Sequence, residues 1–162
     1  MPQYQIPVLE NRPQLAMVHR QLSSVEDGRN DFNLFVSCFL EDGVYQFGNF
    51  KASEGRQGIL DGFYRMVPLV RGDFGKVKVD HDIWILTEVG DQVFCQMDTI
   101  YKIDGEEKLR LPCFAVYHFS DRLDEEGRPY IQKLQTFLDT SPLFLDTSSL
   151  IPNGEAFKGL PT

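Results

Sequence analysis

The hydrophobic repeat of this chain changes once. Before Lys76 apolar residues recur at helical spacing, and after it they alternate. Such a chain needs both a helical layer and a sheet of long strands. In the first half, Leu15, Val18, Leu22 and Val25 fall on one helical stripe. Asn11 and Gln14 read as a capping box before it, with Pro13 in the first turn. The run EDGRN at 26–30 breaks the stripe. Asp31 then caps a second helix, with Phe32, Phe35, Cys38 and Phe39 on its apolar side and Gly43 as its end. A first strand is predicted over 44–50, and a third helix from Gly55 carries Ile59, Leu60 and Phe63 until Pro68 stops it.

In the second half, Val77, Val79, His81, Ile83 and Ile85 share one strand face, opposite Lys76, Lys78, Asp80, Asp82 and Trp84. Residues 92–102 form a strand apolar on both faces. Asp104-Gly105 is a hairpin turn. The strand over 109–119 contains Pro112, which predicts a bulge or an unpaired stretch. A polar turn over 121–129 leads to a last strand over 130–138. The fold class expected is α+β, a single domain over 1–139. Residues 140–162, with Pro142, Pro152, Gly154, Gly159 and Pro161, read as a tail packing on the domain or on a partner subunit.

Length and charge narrow the function classes. The chain has 162 residues, enough for one domain without disulfide or metal support. Sixteen basic residues face 24 acidic ones, for a net charge of −8, and the basic residues form no run. Phosphate neutralisation requires clustered Lys and Arg, so neither nucleic acid nor an anionic membrane is an expected partner. No apolar run reaches membrane-spanning length, and no secretory signal precedes the first helix. Cys38, Cys95 and Cys113 each sit in an apolar run without paired spacing, which predicts reduced core thiols and a cytoplasmic location. No His and carboxylate cluster has metal-ligand spacing, so neither a metal nor a cofactor is expected.

Three pieces of sequence carry a family resemblance. Asp42-Gly43-Val44-Tyr45-Gln46-Phe47 resembles the D-A-V-W-E-F step of SnoaL-like proteins. Glu54-Gly55-Arg56-Gln57-Gly58-Ile59 with Phe63 resembles the opening of their third helix, and Leu134-Gln135-Thr136-Phe137-Leu138-Asp139 their closing strand. The three keep order and spacing over residues 13–145. The resemblance is to the SnoaL-like, nuclear-transport-factor-2-like superfamily, and it implies a cone: a curved, mostly antiparallel sheet wrapped on N-terminal helices. The superfamily includes ketosteroid isomerase, limonene epoxide hydrolase, scytalone dehydratase, polyketide cyclases and non-catalytic binders, so fold alone does not assign function. Phe47 and Ala115 stand where ketosteroid isomerase has its two aspartates, which removes that machinery. Gln96-Met97-Asp98 resembles the R-x-D strand of limonene epoxide hydrolase, whose other aspartate is matched by Thr136. His81 falls where scytalone dehydratase carries a histidine.

These positions define the expected site. His81 and Asp98 are the candidate catalytic pair, the carboxylate orienting the imidazole for acid–base chemistry. The structural alternative is a core histidine bonded to a neighbouring strand, with Asp98 paired to a lysine. Under the family mapping Tyr45, Phe47, Gln96, Cys113, Ala115, Tyr117 and Thr136 line the pocket, while His118 points away from it. His19 lies beside the helical stripe, off its centre. Three functions compete: a cofactor-free isomerase, cyclase, dehydratase or hydrolase acting on a small apolar metabolite; a non-catalytic binder or accessory protein; and an interaction module using the outer sheet face around Trp84. A homodimer through that face is expected from the exposed phase of Trp84 and from the family's habit.

Overall fold

The computed structural model describes residues 3–4, 12–69 and 77–144. In chain order the elements are β1 (Gln3–Tyr4), α1 (Pro13–Ser23), α2 (Phe32–Ser37), β2 (Phe39–Phe47), β3 (Ser53–Glu54) and α3 (Gly55–Met66). After a 3-10 turn at Val67–Leu69 come β4 (Val77–Val89), β5 (Gln92–Ile103), β6 (Glu106–Leu123), β7 (Pro129–Phe137) and α4 (Ser141–Phe144). The strands form one curved sheet in the order β1-β4-β5-β6-β7-β2-β3. The ladders from β4 to β7 and the β2–β3 pair are antiparallel, while β2 joins β7 and β1 joins β4 in parallel. The result is the α+β architecture expected from the change of period.

The core lies between the concave face of the sheet and the helices. Phe63 of α3 anchors it, stacked on Phe32 at 4.6 Å and edge-on to Phe35 at 4.9 Å. Aromatic pairs of this kind contribute about 0.5–1.5 kcal/mol each beyond their buried area. Asp104 and Gly105 both have positive φ, 52° and 82°, as a two-residue hairpin turn requires. Pro112 stays in register with β5, opposite Asp98, whereas pairing with β7 begins only at Phe114. Its other side therefore has no partner strand among the described residues, and proline is tolerated there.

Several local expectations are corrected. The second helix ends at Ser37, and Phe39 to Asp42 belong to β2. The Ile131 amide donates to the Cys38 carbonyl at 2.9 Å, so the chain leaves the helix to join β7. The Arg56 guanidinium bonds the carbonyls at this junction, donating to Ser37 O at the helix end at 3.4 Å and to Phe39 O at the start of β2 at 2.8 Å. Asn11 lies outside the described residues. Arg12 occupies the cap position of α1, and Gln14 Nε2 instead reaches Gly90 O at 3.0 Å. Ile85 does not share the face of His81. A bulge at Trp84 lets Ile83 oppose Met97 and Ile85 oppose Gln96, which leaves Ile85 50% exposed on the convex face. Of the expected tail, α4 buries Leu143 and sets Phe144 edge-on to Phe50 at 5.5 Å; residues 145–162 lie outside the described residues.

Two glycines test the backbone. Gly48 has φ +51°, and a Cβ there would stand 2.6 Å from Thr140 Cγ2. Gly48→Ala is expected to lower unfolding free energy by about 1–2 kcal/mol from the left-handed backbone alone. Gly58 is helical with open space around it. Gly58→Ala is expected to raise stability by about 0.5–1 kcal/mol, and urea denaturation of the two variants checks both signs.

Candidate active site

The site is a cavity of about 100 Å³ between the concave face and α1, α2 and α3. His81 lines it from β4 and is 5% exposed. Its partner is not Asp98. In the β4–β5 ladder His81 stands opposite Thr99, and Asp98 stands opposite Asp82. Residues directly opposite share a face, so His81 and Asp98 point to opposite sides of the sheet. On the convex side Arg110 bridges the two aspartates, donating to Asp82 at 2.8 Å and to Asp98 at 3.1 Å. The expectation of a His81/Asp98 pair is overturned. Strand β5 misleads because both its faces are apolar: Phe94 and Ile100 lie in phase with Asp98, while Val93, Cys95, Met97 and Tyr101 face the core.

Glu26 takes the place expected of Asp98. Its Oε1 lies 3.0 Å from His81 Nδ1, and the residue is 1% exposed. The turn after α1 puts it there. The Glu26 backbone bridges to Val79 of β4, two residues before His81. Asp27, Gly28 and Asn30 all adopt positive φ, and Arg29 N donates to Glu26 O at 2.9 Å, folding the turn back on itself. A carboxylate only accepts, so opposite an ionised Glu26 the donor is Nδ1 and the ring nitrogen left as acceptor is Nε2. The contact holds the imidazole in one orientation in a largely apolar cavity. Sequence reasoning missed Glu26 because the polar run EDGRN reads as a solvated turn.

The remaining expected residues divide between the two faces. Tyr45, Phe47, Cys113, Tyr117 and Thr136 line the cavity. Ala115 is on the same concave face and fully buried, but its methyl group is too short to form part of the lining. Gln96 is corrected: it is exposed on the convex face, opposite Phe114. His118 is also convex, 3.2 Å from Gln92 Nε2. Gln21 was not foreseen, and it lines the cavity with its Oε1 accepting from Tyr117 OH at 2.9 Å. Burial raises the Tyr45 and Tyr101 phenols well above their ordinary range, so both stay protonated. Burial likewise pushes the Cys113 thiol up to about 12. Burial lowers the His19 imidazole, against the pull of the Glu26 carboxylate.

No family model matches the sequence, and no curated protein matches it. Solved structures do match the fold. ActVI-ORFA from Streptomyces coelicolor is similar with a TM-score of 0.63 at 14% identity, over 78% of this chain and 95% of that one. An epoxide hydrolase of M. tuberculosis, like limonene epoxide hydrolase, gives 0.59 at 18% identity, over 84% and 90%. A ketosteroid isomerase-like protein from Erwinia carotovora atroseptica gives 0.55 at 14% identity, over 81% and 98%. The chain therefore has the nuclear-transport-factor-2-like cone fold.

The three cysteines provide a check on the buried site. Cys38 is raised to about 11 by burial, Cys95 is raised further, and all three thiols are buried and free. Thiolate is the reactive form. Iodoacetamide at neutral pH is expected to leave the native protein unlabelled and to label all three cysteines after denaturation, as read by intact mass.

Proposed function

We propose that the protein is a cofactor-free acid–base enzyme of the isomerase, cyclase, dehydratase or hydrolase kind, acting on a small, largely apolar metabolite held in the cone. The observation that carries this reading is the Glu26–His81 hydrogen bond of 3.0 Å, both residues nearly inaccessible and His81 on the cavity wall. In this reading His81 Nε2 takes a proton from the substrate and returns it to another atom. Glu26 is a positioning residue that holds the tautomer and offsets the positive charge formed on the ring. The apolar lining strengthens both effects by lowering the local dielectric. Likeness in fold to an epoxide hydrolase and to a ketosteroid isomerase-like protein supports the general kind of chemistry.

The test begins with mass spectrometry of metabolites that co-purify with the protein, followed by assay of each for turnover. His81→Gln and Glu26→Gln are expected to retain binding while turnover falls by roughly two to four orders of magnitude. Glu26→Gln should also change the pH profile, which a purely structural role would not. Binding without turnover in the unmodified protein would assign a carrier or accessory role instead.

The proposal includes a homodimer through the convex face. Ile85, Gln96, Phe114 and Phe137 form one row across four strands, with Phe94 stacked on Phe114 at 6.2 Å. Trp84, Phe114 and Phe137 are 46%, 42% and 54% exposed. Such a contiguous apolar patch favours a self-complementary contact. Sedimentation is expected to give twice the 18.6 kDa chain mass, and Phe114→Glu to give the single chain. A monomer at micromolar concentration before substitution would end the dimer reading.

A further inference from the structure

Gln21 lies near the end of α1, is 2% exposed and lines the cavity. The Tyr117 hydroxyl donates to its Oε1 at 2.9 Å, and Tyr117 is itself inaccessible. In this bond the amide oxygen faces Tyr117 and the nitrogen faces away. Among the described residues nothing accepts from Nε2. Nor is that nitrogen sealed by protein atoms, as the buried Ser23 hydroxyl is. It opens on the cavity. A buried donor left without an acceptor costs about 1–3 kcal/mol, so an acceptor belongs in front of it.

The chemistry of that acceptor follows from the lining. Among the described residues no Lys or Arg lines the cavity, and the Glu26 carboxylate stands behind its wall, so an anion is disfavoured. The cavity measures about 100 Å³, less than the roughly 150 Å³ of an apolar cavity that admits benzene, so the ligand is no larger than a small ring. The geometry points to Gln21 as the residue that selects the ligand: its amide N–H donates to the carbonyl oxygen of a small, neutral, ring-sized molecule. This rests on the cavity being the ligand site, as proposed above, but not on catalysis.

Cyclobutanone and methylenecyclobutane test it, since they share a small ring and differ in C=O against C=CH2. Dissociation constants for both are measured by ligand-detected NMR. Gln21→Leu is expected to weaken cyclobutanone on the order of tenfold or more relative to methylenecyclobutane, the cost of one unmatched polar group. Tyr117→Phe removes only the hydroxyl that orients the amide and should give a smaller shift the same way. That variant carries the test if Gln21→Leu fails to fold by circular dichroism. Binding of the two rings is read without any turnover, which separates this inference from the acid–base reading. A ratio unchanged in the Gln21 variant, or in Tyr117→Phe where that variant stands alone, overturns the assignment. So does failure of both rings to bind the unmodified protein at millimolar concentration, which would leave only water at the amide.

Discussion

A carboxylate removed from water must be met by a partner or a proton, and the burial of Glu26 puts that demand at the centre of this molecule. His81 meets it at 3.0 Å. The contact joins residues 55 positions apart and ties the α1–α2 turn to β4. Breaking a buried pair of this kind by removing one partner typically costs about 3–5 kcal/mol, so the turn and the strand hold each other in place. The same contact orients the imidazole on the cavity wall. The Tyr117–Gln21 bond works in parallel, linking β6 to α1 and orienting a second polar group toward the same cavity.

The two sheet faces divide the remaining work. The cavity between the concave face and the helices is apolar apart from a few hydroxyls, Cys113, His81, Gln21 and Asn30, so each polar group there has a large effect. The convex face carries ion pairs at one end, where Arg110 meets Asp82, Asp98 and Glu107 and Lys102 meets Asp80. Those pairs are partly solvated and contribute little stability, roughly 0–1 kcal/mol each. Farther along, the bulge at Trp84 turns Ile85 outward into the aromatic row. A single extra residue in β4 thus lets one strand supply an apolar core face along one stretch and an apolar outer patch along the next.

The helix-then-sheet order, the third helix, the Asp104-Gly105 hairpin and the approximate strand limits follow from local signals. The side that His81 faces is also legible, because Val77, Val79 and Ile83 alternate with polar residues around it. Periodicity fails on β5, where apolar residues occupy both faces and a slip of one residue reverses every side chain. That ambiguity placed Asp98 in the cavity, and the family mapping placed Gln96 there. The end of α2 was misread for a different reason: Phe39 has the spacing of a helix face, but its main chain pairs with β7, 92 residues away.

The sequence by itself determined the class of fold and one wall of the site, because hydrophobic periodicity and turn chemistry act over a few neighbouring residues. Only the tertiary structure decided which acid meets the histidine. Glu26 sits in a polar run that locally looks like a surface turn, and three left-handed residues fold that run inward against β4. Gln21 likewise becomes a cavity residue only when β6 brings Tyr117 across to it. Burial is a property of what packs above a residue, and for both side chains the covering strands arrive more than fifty residues later in the chain.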